Sequence, residues 1–192
     1  MIESLESIDR QLVLIINGAH FEILDSVMWF FSGPYVVIPL SILVLGSLYM
    51  TYSIKQIGLL LLSICIGIAL ADFCSVHFFK DMFMRYRPSH HAELMGKLHF
   101  HEFSNGEVYQ GGLYGFVSSH AANYFTLLIL CWSVIKHKWV NYTLLTITFI
   151  IVYSRVYLGV HYLTDIVFGA ILGYIVAKLV LHFLILKRIK FT

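Results

Sequence analysis

The chain has 192 residues, of which 59% are hydrophobic and 12% are charged, and its mean hydropathy is +0.80. Soluble domains are roughly 45–50% apolar and about 25% charged, so this composition excludes an ordinary soluble domain. The net charge is only +2. We predict a single integral membrane domain over residues 1–192.

The N-terminal region, residues 1–33, has two interpretations. Its first ten residues, MIESLESIDR, are acidic and lack the basic beginning of a signal peptide, so we expect insertion to use the first spans themselves. Residues 12–31 are apolar but carry a polar break, formed by Asn17, Gly18, His20, Glu22 and Asp25. The break favours two short amphipathic helices at the membrane interface over a first membrane span.

Five further apolar runs approach the roughly 20 residues that a transmembrane helix needs. They cover residues 34–52, 56–78, 118–136, 139–158 and 163–186. We therefore predict an all-α polytopic bundle with five or six transmembrane helices. The polar stretch 80–117 is the one substantial loop, and residues 118–186 form the last helices of the bundle.

The charges predict the orientation of this bundle. With five spans, the short turns and the C-terminus on one face carry basic residues and no acid: Lys55, Lys136, Lys138, Lys187, Arg188 and Lys190. Short cytoplasmic loops are enriched in Lys and Arg. We therefore expect loop 80–117 and the turn at 154–165 to face outward.

Three polar segments lie on that outer face, each at the end of a predicted span. They are KDMFMRYRP (80–88), YGFVSSH (114–120) and SRVYLGVHYLTD (154–165). Ionisable residues at membrane depth are costly and usually functional. A helix bundle can bring all of these span ends together, so we expect the segments to form one site.

Several residues of these segments suit the binding of a phosphate. Lys80, Arg87 and Arg155 are fixed cations, and the arginine fork binds phosphate oxygens bidentately. Ser118 and Ser119 lie at the start of a predicted helix, where backbone N–H groups favour an anion. We call these five residues the phosphate cradle.

Two histidines and one acid add the groups needed for catalysis. Asp165 follows His161 by four residues and shares its face of a helix. Asp165 can therefore accept the ring N–H of His161 and leave the other ring nitrogen nucleophilic. His120 is then available as a general acid.

The three segments resemble the signature of the type-2 phosphatidic acid phosphatase superfamily, which reads K-x6-RP, PSGH and SR-x5-H-x3-D. The first and third parts are matched by Lys80, Arg87, Pro88, Ser154, Arg155, His161 and Asp165. The match covers residues 80–165, and three parts in order are far more specific than any one alone.

The second part of the signature departs from the family pattern. Val117 replaces proline and Ser119 replaces glycine, while Ser118 and His120 are retained. The departure bears on loop geometry and substrate preference but removes no catalytic group.

The resemblance implies roles for these residues. His161 attacks phosphorus to form a phosphohistidine, Asp165 orients it, and His120 protonates the leaving oxygen. The phosphate cradle stabilises the developing charge. No metal and no cofactor is implied.

Histidines in loop 80–117 have less specific interpretations. His90, His91, His99 and His101 fit no standard zinc spacing, so we favour head-group contact or a solvated surface over a metal site. Arg85, His90 and His91 are the candidate head-group contacts.

The resemblance implies a lipid phosphatase of the bacterial inner membrane whose active site faces the periplasm. The favoured substrates are a lipid A phosphate and undecaprenyl diphosphate. The alternatives are phosphatidylglycerol phosphate, phosphatidic acid and a non-catalytic protein that binds phospholipid head groups. The expected partners are the lipid substrate and the bilayer, with no nucleic acid, and no oligomeric state is predicted.

Overall fold

The structure is a computed structural model that describes residues 2–185, and that part of the chain is built from helices. The α-helices are α1 (Ile2–Gly18), α2 (Glu22–Ser32), α3 (Val37–Tyr49), α4 (Ile54–Cys74), α5 (Asp81–Phe83), α6 (Ser119–Val134), α7 (Lys138–Tyr157) and α8 (Leu163–Val180). A π-helical segment, Ser75–Lys80, joins α4 to α5, and a second one, Leu181–Ile185, follows α8. Short 3-10 turns cover Pro34–Val36 and Pro88–His90. The all-α prediction is confirmed.

Three helical stretches among the described residues are long and apolar enough to cross a membrane: Ile54–Phe83, Lys138–Tyr157 and Leu163–Leu184. The pair Leu5–Gly18 and Glu22–Ser32 adds a fourth span if its two helices, bent by 118°, cross together. The chain is therefore an integral membrane protein with three or four candidate spans, and five or six spans stay a prediction. The basic residues Lys187, Arg188 and Lys190 lie outside the described residues.

The predicted span at 118–136 is a shorter helix, α6, of 16 residues. At 1.5 Å per residue it is about 24 Å long, less than the roughly 30 Å of a bilayer core. It packs against α4, α7 and α8. This helix is therefore the centre of the bundle and the support of the site at its N-terminus.

The polar break in the N-terminal region separates two helices. Helix α1 ends at Gly18, and α2 begins at Glu22. The side chain of Asn17 is buried and donates to the carbonyl of Tyr157 at the end of α7, over 2.7 Å. The elbow between α1 and α2 is thus attached to the bundle, while its position relative to the membrane stays a prediction.

Loop 80–117 folds back over the bundle. Leu94 and Leu98 are buried in a core cluster with Val13 of α1 and Val156 of α7. The backbone N–H of Arg87 donates to the Leu113 carbonyl over 3.1 Å, and that of Gly115 donates to the Arg85 carbonyl over 2.9 Å. These contacts fix the backbone around Arg85 and Arg87.

Four helix ends converge at one end of the bundle. They are the π-helical segment after α4, the start of α6, the end of α7 and the start of α8. The Ser118 N–H donates to the Asp165 carbonyl over 3.0 Å and ties the starts of α6 and α8 together. At the opposite end, the Tyr52 hydroxyl donates to the Val134 carbonyl over 2.7 Å.

Close packing of α6 on α8 depends on small residues. A Cβ atom added to Gly173 would lie 2.4 Å from the Ala122 carbonyl oxygen and 3.0 Å from Phe125 Cβ. Small residues at such crossings let helix backbones approach closely in membrane proteins. Gly173 thus sets the distance between the two helices that carry His120 and Asp165.

We expect Gly173→Ala to destabilise the protein by about 1–3 kcal/mol, because the added methyl group forces α6 and α8 apart. Thermal unfolding in detergent measures the effect. Gly58→Ala is the matched control, since a Cβ at Gly58 on α4 meets no atom within 4 Å. Equal melting temperatures for both variants would contradict the proposed packing constraint.

Candidate active site

His161 and Asp165 form a buried pair between α7 and α8. Their side chains are 1% and 0% exposed, and His161 Nδ1 lies 3.3 Å from Asp165 Oδ2. The same carboxylate oxygen accepts the Tyr162 backbone N–H over 3.0 Å. A Cβ atom on Gly115 would lie 3.0 Å from this oxygen, so a glycine lets the loop cover the pair.

The other ring nitrogen of His161 faces an arginine. Arg87 Nη1 lies 3.2 Å from His161 Nε2, and its Nε donates to the Tyr114 carbonyl over 3.1 Å. A guanidinium only donates hydrogen bonds. His161 Nε2 therefore carries the lone pair and Nδ1 carries the proton donated to Asp165, which is the tautomer that nucleophilic attack through Nε2 needs.

Arg87 is held close to the loop backbone. A Cβ atom on Gly111 would lie 2.8 Å from Arg87 Nη1, and Gly111 has a φ of +68°, which favours glycine. Burial, with the Arg155 charge, lowers the pKa of Arg87 to about 10. Arg87 therefore stays protonated at neutral pH and contributes a full positive charge beside His161.

The ionisation of His161 is shaped by its surroundings. Burial lowers its pKa well below the usual value of 6.5, and the charges of Arg87, Arg155 and Lys80 lower it further. Each of these effects disfavours the protonated ring. His161 is therefore neutral, as a nucleophile must be, at pH 7 and in mild acid.

Arg155 is buried near the end of α7. Its Nη1 donates to the Ser32 hydroxyl, and its Nη2 donates to the Tyr109 hydroxyl over 2.9 Å. Its Nε is buried without a hydrogen-bond partner in the described part of the chain. A buried donor without a partner is costly, and an anion bound at this point would remove the cost.

Ser32 also contacts His120. The Ser32 backbone lies near the His120 ring, and the Ser32 side chain accepts from Arg155. The last residue of α2 therefore holds a cation of the phosphate cradle and lies beside the predicted general acid. No sequence pattern singles out Ser32, because its role depends on where α2 crosses the bundle.

The serines at the start of α6 have different partners. Ser118 is the N-cap residue, and its hydroxyl accepts the Ala121 N–H over 3.4 Å. The Ser119 hydroxyl accepts from Lys80 Nζ over 2.5 Å and lies 2.7 Å from the Ser75 hydroxyl. The serine that replaces the family's glycine thus holds the Lys80 side chain at the helix start.

A second acid lies behind Asp165. Arg85 donates to Asp165 Oδ1 over 2.8 Å and to Asp9 Oδ2 over 2.9 Å. Asp9 lies on α1 and is buried. Its carboxylate also accepts hydrogen bonds from the Thr164 backbone N–H, over 3.2 Å, and from the Thr164 hydroxyl. Arg85, a predicted head-group contact, therefore bridges two buried carboxylates. Sequence analysis missed Asp9, which is only one of several acids in the N-terminal region.

The two loop histidines predicted to contact a head group, His90 and His91, have different surroundings. His91 lines a cavity of about 650 Å³, together with Arg10 and Arg85. His90 lies with its Nδ1 3.1 Å from the Ser89 hydroxyl. The structure thus brings His161, Asp165, Arg87, Arg85 and the starts of α6 and α8 together and leaves His90 outside this network.

The helix bundle and the buried cations around His161 together define a membrane phosphatase. The sequence profile of the PAP2 superfamily matches residues 59–188, and the chain belongs to this superfamily.

Two relatives carry the same name, lipid A 4'-phosphatase. The protein of Porphyromonas gingivalis is 30% identical over 93% of this chain and 74% of its own length. The protein of Bacteroides thetaiotaomicron is 34% identical over 90% of this chain and 75% of its own length.

Two crystal structures share the fold. Aquifex aeolicus LpxE superposes with a TM-score of 0.60 at 24% identity, over 90% of this chain and 94% of that one. The transmembrane PAP2 type phosphatidylglycerolphosphate phosphatase of Bacillus subtilis superposes with a TM-score of 0.65 at 21% identity, over 98% and 90%. The chain therefore shares the fold of these two proteins, and it is a membrane phosphatase of the PAP2 superfamily.

We expect Asp9→Asn to lower kcat about 10- to 100-fold with little change in KM, because Arg85 then loses one anchor and Asp165 shifts. Initial-rate kinetics on the purified protein separate the two constants. Glu22→Gln is the control, since Glu22 is an exposed acid of the same N-terminal region. Unchanged kcat in Asp9→Asn would show that Asp9 has no positioning role.

We expect the acid limb of the kcat/KM profile to lie below pH 6.5, because protonation inactivates His161 and the pKa of His161 is lowered. In Arg87→Ala the limb moves to higher pH, since removing a nearby positive charge raises that pKa. The substrate phosphate also ionises, near pH 6. The informative quantity is therefore the difference in the position of the acid limb between Arg87→Ala and the unsubstituted protein. An identical limb in both would refute the assigned electrostatic effect of Arg87.

Proposed function

We propose that this protein removes the 4'-phosphate of lipid A through a phosphohistidine on His161. The observation that carries the chemistry is the buried ring of His161, with Nδ1 beside Asp165 and Nε2 beside Arg87. The names of the two curated relatives support the choice of lipid A over the other lipid phosphates.

The first step uses the lone pair of His161 Nε2. The lipid phosphate takes the place of Nε2 as the acceptor of Arg87, and Nε2 attacks phosphorus. A P–N bond forms as the bond between phosphorus and the sugar oxygen breaks. His120 gives its proton to that oxygen, and Asp165 stabilises the charge that develops on the His161 ring.

The second step releases phosphate. Neutral His120 takes a proton from water, and the water oxygen attacks phosphorus as the P–N bond breaks. Lys80, Arg87 and Arg155 stabilise the charge on the phosphoryl oxygens in both steps, with the unpartnered Nε of Arg155 as an additional donor. His120 carries out both proton transfers of the cycle.

Two cavities suit the lipid part of the substrate. The cavity of about 650 Å³ has apolar walls that include Leu5, Phe83 and Phe168, and its charged groups are Glu6, Arg10 and Arg85. A groove of about 620 Å³ between α6, α7 and α8 is lined almost entirely by apolar side chains such as Phe125, Val152 and Ile171. We assign the sugar region of lipid A to the 650 Å³ cavity and one of its acyl chains to the 620 Å³ groove.

The orientation of the site follows from the charge distribution. The basic turns around Lys55 and Lys136 lie at the opposite end of the bundle from His161, and short basic loops stay in the cytoplasm. We therefore assign the protein to the bacterial inner membrane, with its active site open to the periplasm.

The test is phosphate release by the detergent-purified protein in the presence of a chelator. The substrates are lipid A, undecaprenyl diphosphate, phosphatidylglycerol phosphate and phosphatidic acid, and mass spectrometry identifies the position that loses phosphate. We expect release from the 4' position of lipid A, and a loss of roughly 10³-fold or more in His161→Ala. Labelled phosphate trapped on the protein in acid-quenched single turnovers reports the phosphohistidine.

His182→Ala is the control, since His182 is exposed beyond the end of α8. Faster phosphate release from another lipid of the panel would show that this lipid, rather than lipid A, is the preferred substrate. Full activity in His161→Ala would overturn the mechanism.

A further inference from the structure

Three side chains of metal-ligand type meet at the elbow between α1 and α2. They are His20 in the elbow, Asp25 on α2 and His99 in loop 80–117, and one ligand atom from each lies within 4.8 Å of the others. His99 Nε2 is 3.2 Å from Asp25 Oδ2, and the His20 and His99 rings stack with centroids 3.9 Å apart. None of the three belongs to the phosphate cradle.

Two of these groups are held by buried neighbours. Asn17 donates to the His99 carbonyl over 2.7 Å and accepts its N–H over 2.8 Å. The Tyr157 hydroxyl donates to Asp25 Oδ1 over 2.5 Å, which leaves Oδ2 directed at His99. Hydrogen bonds of this kind orient ligands in established metal sites.

A histidine and an aspartate that pair on the surface of one helix provide a comparison. His77 and Asp81 lie 3.3 Å apart, but they are neighbours on one helical turn, and no third ligand from residues 2–185 joins them. At the elbow the ligands come from two segments separated by more than 70 residues. The fold, rather than helical spacing, therefore brings these three groups together.

The donor set selects the kind of ion. Two imidazoles and one carboxylate suit Zn²⁺ and related late transition metals, whereas Mg²⁺ and Ca²⁺ prefer oxygen ligands. In a tetrahedral zinc site with bonds of about 2.0–2.1 Å, ligand atoms lie about 3.3 Å apart. The His20 and His99 rings are parallel within 10°, and a ring nitrogen binds a metal in the plane of its own ring. The exposed His20 side chain therefore rotates out of the stack when the ion binds.

We propose that His20, Asp25 and His99 bind a zinc-type divalent cation, with water at the fourth position. The ion clamps the α1–α2 elbow to loop 80–117 and, through Tyr157, to the end of α7. Tyr157 follows Arg155 by two residues, so the clamp stabilises the segment that carries one cradle cation. The loop spacing alone predicted no metal site, because two of the three ligands lie outside the loop.

The test uses the full chain purified without a polyhistidine tag and stripped by a chelator. We expect Zn²⁺ to raise the melting temperature in a concentration-dependent manner, and Co²⁺ to give the intense visible absorption of a tetrahedral site. Each of His20→Ala, Asp25→Asn and His99→Ala abolishes both signals. Tyr157→Phe weakens binding about 10- to 100-fold, since it removes an outer-shell hydrogen bond.

His77→Ala is the matched control and keeps both signals. Asp25→Asn preserves the size of the side chain, and an unchanged circular dichroism spectrum verifies that each variant is folded. Absence of both signals in the parent chain, or their persistence in all three ligand variants, would overturn the proposal. Phosphate release in the presence of chelator continues in either case, so this site and the phosphatase mechanism are tested separately.

Discussion

The buried carboxylate of Asp165 is the constraint on which the rest of the site depends. A charge with no solvent exposure is tolerated only if it is paired and fully hydrogen-bonded. Asp165 meets this requirement with Arg85, the Tyr162 N–H and the ring of His161. Arg85 in turn is balanced by Asp9, so the orientation of His161, the proposed nucleophile, depends on a helix at the other end of the chain.

On the other side of His161 the difficulty is repulsion between positive charges. Arg87 and Arg155 repel each other and disfavour protonation of His161. The protein holds them with carbonyl and hydroxyl acceptors, and the Arg155 Nε has no hydrogen-bond partner among residues 2–185. In the proposed mechanism a bound phosphate relieves both the repulsion and the missing hydrogen bond, so the clustering of these cations favours the binding of an anion.

Much of this site could be predicted from local patterns. The i, i+4 spacing predicted that Asp165 lies beside His161. The structure confirms the contact but not the shared helix, because His161 lies in the turn before α8 and Asp165 lies in the first turn of α8. The apolar runs indicate where helices occur. Asp9 and Ser32 could not be predicted, since their partners lie 76 and 123 residues away in sequence. A helix at the centre of a bundle is as apolar as one in lipid, so composition alone does not decide whether the 16-residue α6 crosses the membrane, and that span stays a prediction.

The sequence by itself determined the membrane class and the all-helical fold, and it predicted the catalytic residues, because each of these is encoded in composition or within a few neighbouring positions. Tertiary structure alone decided which groups pair: Arg87 with His161 Nε2, Lys80 with Ser119, and Arg85 with both carboxylates. It also decided that His20, Asp25 and His99 meet at the elbow. Contacts between distant segments depend on how helices cross and how closely glycines let them approach, and no local periodicity specifies either.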